Sequence, residues 1–232
     1  MNAHIDTAPV LEAFTHGGEC PLCDLRWSTE ESYLDSFLGG SVMEPAARVI
    51  VNEKGFCADH FRMLYDRGNR LGLALMAHSH MIEAIKRCEA RVKSQRERPR
   101  PIFGLGSKRS DSIRPDQTCA LCDRLDATMD RYAETTIYLW EHEAAFRERF
   151  NKSLGLCMPH GNKLMALANA KGKGAFADAL AELQLANLRR VEKELEWFTL
   201  KFDYRNQDKP WGNSKDALIR AALKLSGARC GD

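Results

Sequence analysis

One short pattern occurs twice in this chain and bounds what the chain can fold into. Cys20-Pro21-Leu22-Cys23 is followed by Gly55-Phe56-Cys57-Ala58-Asp59-His60, and Cys119-Ala120-Leu121-Cys122 by Gly155-Leu156-Cys157-Met158-Pro159-His160. Each copy supplies three thiols and one imidazole, a complete ligand set for a tetrahedral Zn2+. A Cys-x-x-Cys turn that opens a helix lowers its thiol pKa values, because free backbone N–H groups and the helix dipole favour the thiolate. A Cys-x-x-His at the start of another helix puts thiol and imidazole three apart on one face. The expectation is two closed clips, one of Cys20, Cys23, Cys57 and His60, the other of Cys119, Cys122, Cys157 and His160. Four protein ligands leave no position for water, so each ion is expected to be structural, and the expected cofactor is zinc, two ions per chain. Two alternatives use the same residues: a dithiol redox pair, which leaves both histidines without a role, and an iron–sulfur cluster held by three thiolates and a histidine.

The spacing of the copies argues for a duplication. Cys57, His60 and Gly72 recur one hundred residues later as Cys157, His160 and Gly172, and the first cysteine pair recurs after ninety-nine. Such a register is the mark of a repeated structural unit. The rest of the chain can support it: 232 residues, 44% of them hydrophobic, suffice for an ordinary core. The 34 basic and 32 acidic side chains nearly cancel, so no global field draws the molecule to nucleic acid or to an anionic membrane. Neither an export signal nor a spanning apolar run is visible, and the expectation is a cytoplasmic protein without a membrane partner. In a reducing compartment, eight cysteines read as metal ligands or redox groups rather than as structural disulfides.

Apolar periodicity gives helices throughout and no strand pattern. Helices are expected near residues 7–14, 24–38, from near Pro45 through Val49 and Ile50, 57–66, 70–92, 123–150, with Pro159 within the first turn of the next, from about 176 to 198, and in the tail around 218–225. Leu71, Leu73, Ala74, Leu75, Met76 and Ala77 are apolar on nearly every side, which predicts deep burial of the first two turns of the fifth helix. The helix over 176–198 is expected to be the longest. The fold expected is all-α: a first unit over residues 1–95, a basic flexible linker over 96–116, a second unit over 117–207 and a tail helix within 208–232, each unit pinned by its own Cys3His site.

No nucleophile elbow, phosphate-binding loop or His-Glu-x-x-His motif is present, and no set of residues reads as a catalytic constellation. Arg96, Arg98, Arg100, Lys108, Arg109 and Arg114, with the basic tail, offer a nucleic-acid-binding alternative; a solvated charged linker is the simpler reading. His78 and His80 lie two apart on a helix and point in different directions, which disfavours a shared metal.

Beyond the clips, Ser41-Val42-Met43-Glu44-Pro45 with Arg48, Asn52-Glu53-Lys54 before Gly55, Arg70 to Met76 with His78 and His80, and Trp211-Gly212 complete a longer pattern. Together with the clips it resembles the bacterial family catalogued as domain of unknown function 6062, over nearly the whole chain. The resemblance implies a soluble bacterial protein and leaves the activity open. It also implies that Met43, Glu44, Arg48, His78 and His80 belong to the family's pattern, which makes a non-metal pocket of Arg48, His78 and His80 a further expectation. The function expected is that of a non-enzymatic zinc-binding interaction or scaffold protein with a protein partner.

Overall fold

A computed structural model describes residues 3–97 and 119–228. Within them the chain forms ten α-helices and three short 3-10 turns, and no strand. The helices are α1 (Ala3–His16), α2 (Pro21–Leu38), α3 (Pro45–Lys54), α4 (Ala58–Asp66) and α5 (Arg70–Glu97), then α6 (Ala120–His142), α7 (Ala144–Lys152), α8 (Met158–Ala170), α9 (Gly174–Leu200) and α10 (Ala217–Ser226). The all-α expectation holds. Nearly all of the expected linker, including Arg98, Arg100, Lys108, Arg109 and Arg114, lies outside the described residues, as does Cys230.

The helix ends follow from local chemistry. Pro45 opens α3 at a position whose N–H would be unpaired in any case, and Gly55 ends it at φ 68°. Cys57 and Cys157 are themselves the N-caps of α4 and α8, in extended conformation, so each ligand sits where a helix begins. One expected helix is two. The pattern over 123–150 breaks at Glu143, and the guanidinium of Arg147 donates to the carbonyls of Trp140 (2.8 Å) and Glu141 (2.7 Å) at the end of α6. Those carbonyls have lost their intrahelical partners, and a charged donor at the break satisfies them. The longest helix is α5, at 28 residues, one more than α9.

The chain divides into two compact units, and not at the expected linker. An outer unit combines residues 1–28 with 127–232, and an inner unit is the continuous stretch 29–126. The boundaries expected at 95 and 117 both fall within the inner unit. In the outer unit Phe14, Phe146, Phe150 and Phe176 are buried, with Phe14 and Phe146 edge to face at 5.1 Å and Phe150 and Phe176 at 5.3 Å. Helix α9 packs against α8 and α10. The inner unit has its own core of Leu34, Phe37, Leu38, Val42, Val51, Leu64, Leu73, Met76 and Leu121.

One expectation of burial is overturned. Helix α5 buries Gly72, Leu73 and Met76, but Leu71 is 72% exposed and Leu75 40%. In α10 the apolar Leu218, Ile219 and Leu225 are exposed, whereas Ala217, Ala221 and Lys224 are buried.

Candidate metal centres

All eight clip residues come together in two groups of four, but in a different combination from that expected. Cys20 and Cys23 meet Cys157 and His160; Cys57 and His60 meet Cys119 and Cys122. The cysteine pair of each copy thus joins the Cys-x-x-His of the other copy, and the within-copy clips are corrected. Helix α2 runs from the first cysteine pair out of the outer unit and into the inner one, so that Cys57 and His60 belong to the inner unit while Cys20 and Cys23 stay with the outer. Each compact unit still holds one complete Cys3His group.

The outer cluster is fully formed. Within it the Cys23 and Cys157 sulfurs are 3.5 Å apart, and His160 Nδ1 is 3.6 Å from Cys20 Sγ, 3.4 Å from Cys23 Sγ and 3.2 Å from Cys157 Sγ. In the inner cluster His60 Nδ1 lies 3.2 Å from Cys57, 3.3 Å from Cys119 and 3.2 Å from Cys122, and the Cys57 and Cys122 sulfurs are 3.9 Å apart. Zn–S bonds of about 2.3 Å and Zn–N bonds of about 2.0 Å, set tetrahedrally, require S···S near 3.8 Å and S···N near 3.5 Å. Both clusters are within a few tenths of an ångström of those edges, so either could hold a tetrahedral metal ion.

The surroundings of the two clusters differ. In the inner one, His60 Nε2 donates to Oε1 of Glu30 at 2.9 Å, the carboxylate–histidine arrangement that fixes a ligating ring and makes it a better donor. The Gly55 carbonyl accepts from Ala120 N at 3.0 Å, tying the turn before Cys57 to the pair Cys119 and Cys122. In the outer cluster that tie is a side chain. The ammonium of Lys224, 1% exposed, donates to the carbonyl of Glu19 at 2.5 Å, to that of Leu154, and to the Glu19 carboxylate at 3.1 Å. It thereby holds together the segments that lead into Cys20 and Cys157.

Charge follows the same division. Three thiolates around a divalent ion would leave a cluster at −1, and the buried ammonium of Lys224 near the outer cluster would offset it. Burial lowers the pKa of Lys224, and the nearby Glu19 carboxylate works against that fall. Burial pushes the Cys20 thiol up to about 12. Burial also pulls Cys119 upward, but its bond with His60 and several backbone N–H groups bring it down to about 6, while the Cys119 thiol and then Glu30 raise His60 to about 10. A cation bound by these ligands would displace the protons they carry. Cys57 and Cys122 are partly exposed, whereas Cys20, Cys23 and Cys157 are buried.

Of the expected pocket residues, Arg48 and His80 both bridge α3 and α5. Arg48 spans from Val42 O (3.3 Å) to Leu75 O (3.2 Å) and Ser79 Oγ (3.0 Å), fastening α3 and the turn before it to α5. His80 Nδ1 pairs with Asn52 O at 2.9 Å, and its ring lies under Gly55. His78 is exposed. Glu30 and Lys224 were not visible from the sequence: each is an ordinary helical charge until the chain is folded around a cluster.

The model of the family of unknown function DUF6062 matches residues 1–231. The chain belongs to that family. It is also similar to an uncharacterized 23.9 kDa protein in the xynA 3' region of Caldicellulosiruptor sp. (strain Rt8B.4), 23% identical over 195 residues that span 81% of this chain and 84% of the relative. No solved structure matches. Among the described residues of this DUF6062 member, no helix is long and apolar enough to cross a membrane.

Proposed function

We propose that this DUF6062 chain is a zinc-stapled interaction protein, in which two Cys3His zinc ions hold the two helical units in the form a partner recognises. The observation that carries the zinc reading is the pair of clusters, each with four ligand atoms within 4.8 Å of one another and edges that match a Zn2+ tetrahedron. Thiolate-rich, four-coordinate N/S sites of this size suit zinc above the harder divalent ions. Four protein ligands complete the shell, which is the composition of a structural site rather than of a site that binds water or substrate. The interaction reading rests on the apolar surface that the helices present to solvent, and its partner is a protein.

Metal analysis of the purified chain tests the proposal. The expected content is about two zinc ions per chain, with loss of helical signal on chelation, because structural zinc supplies on the order of 10 kcal/mol to folding. A folded chain with free thiols and no metal overturns it. Disulfides in place of metal would favour the dithiol reading, and iron with acid-labile sulfide would favour the cluster reading.

A further inference from the structure

Helix α5 carries an apolar stripe with a period of seven, and none of it is used by the core of the inner unit. Leu71, His78, Ile85 and Val92 are spaced seven apart, and Ala74, Met81, Cys88 and Gln95 repeat the spacing three residues later. Leu75 and Ile82 flank them on one side. The stripe faces solvent: Leu71 is 72% exposed, Met81 59%, Ile85 50%, Val92 47%, and Cys88 is exposed as well. A core-facing stripe on a single helix follows the 3.6-residue turn, whereas a strict repeat of 3.5 keeps its register only against another helix of the same period.

We infer that this stripe is a self-association seam, on which a second copy of the chain lays its own α5 antiparallel to the first. The inference deepens the interaction reading above, and rests on it, by naming the partner as a second copy. Charge selects the orientation. Lys86, Arg87, Arg91, Lys93 and Arg96 gather at the C-terminal end of α5. A parallel pair would stack these basic ends and set Arg91 across from Arg96 of the second copy, the charge pair that specifies against an orientation. An antiparallel pair keeps the basic ends apart.

Coverage selects the register. With Ile82 opposite its own equivalent, Ile85 meets Met81, Val92 meets Ala74, and His78 meets Cys88, so the full stripe from Leu71 to Gln95 is covered. A shift of one heptad toward the C-terminus leaves Leu71, Ala74 and Leu75 bare. Six large side chains, 40–72% exposed, set against their equivalents bring the buried area to roughly the 1,000 Å² at which specific interfaces begin.

The test is the mass of the zinc-loaded full chain in sedimentation, read across concentration up to about 100 µM, a range that captures a micromolar dissociation constant. The expected result is a rise to twice the 26.2 kDa of one chain. The double variant Met81→Glu, Ile85→Glu stays monomeric while keeping its zinc and helicity, since both side chains are exposed and neither is a ligand. A short bismaleimide links copies of an Ile82→Cys, Cys88→Ser, Cys230→Ser variant, whereas in the wild-type chain Cys88 does not link to Cys88. A wild-type chain that remains monomeric throughout, or a dimer that survives the double variant, overturns the seam. Linkage through Cys88 overturns the antiparallel register. Zinc content measured on the same samples keeps the two readings apart: a monomer with two zinc ions removes the seam and leaves the staples, and a chain without metal removes the staples.

Discussion

At the scale of single residues, the two clusters have the same ligands and different supports. His60 has a carboxylate behind it, and the outer cluster has an ammonium beside it. Replacing Glu30 by Gln keeps the shape and removes the charge that orients His60 and strengthens it as a donor. The expected outcome is a loss of about 10- to 100-fold in zinc affinity at the inner site only, as loss of such outer partners typically produces. Competition with a zinc chelator checks it: the wild-type chain releases its two ions together or outer first, and Glu30→Gln releases the inner ion first. Such residues are invisible in sequence, because Glu30 lies thirty residues from His60, and Lys224 lies 205 from Glu19. Lys224 carries no signal in sequence for a physical reason: a lysine in an amphipathic tail helix belongs in water unless carbonyl oxygens converge on its ammonium, and those of Glu19 and Leu154 do so only in the folded chain.

At the scale of elements, the helices were legible and their faces less so. Caps and breakers act locally, so Pro45, Gly55 and the cysteines that open α4 and α8 place helix ends correctly from sequence alone. The break at Glu143 depends on Arg147 reaching back over α6, which no periodicity records. Burial of α5 failed because an all-round apolar helix start can signal either a deep core or one face for the core and another for a partner. The turn between α3 and α4 offers a direct test. Gly55 has φ 68°, and a Cβ there would lie 2.6 Å from Nε2 of His80. Gly55→Ala therefore meets both backbone strain and a packed ring held by Asn52. Its expected cost is about 1–3 kcal/mol, read as a lower denaturation midpoint with unchanged m-value.

At the scale of the whole molecule, the duplication was legible and its assembly was not. Spacing repeats identify two equivalent ligand sets, but nothing in spacing says whether each set closes on itself or on the other. What decides it is the unit that each ligand joins: α2 passes from the outer unit into the inner one after Ser28, and no spacing records that passage. The equivalence is also looser than its register suggests: Gly72 lies inside α5, while Gly172 lies in the turn between α8 and α9. A chain ending at Asp126 contains the whole inner unit and only the cysteine pair of the outer one. It is expected to hold one zinc ion, to keep it in the Cys20→Ser variant and to lose it in the Cys119→Ser variant. Within-copy pairing demands the reverse, so metal content of the two variants discriminates cleanly.

The nesting of one unit within the other also imposes an order in time. As the chain leaves the ribosome from its N-terminus, the inner ligand set is complete once Cys122 has emerged, closing a loop of 65 residues between Cys57 and Cys122. Cys20 and Cys23 wait as unpaired thiols until Cys157 arrives 134 residues after Cys23, and Lys224 comes later still. During that interval the nascent protein is a finished inner unit with an open thiol pair upstream of it. The stage most vulnerable to stray oxidation or to the wrong metal is thus a stage of synthesis, and it ends when Cys157 and His160 complete the outer set.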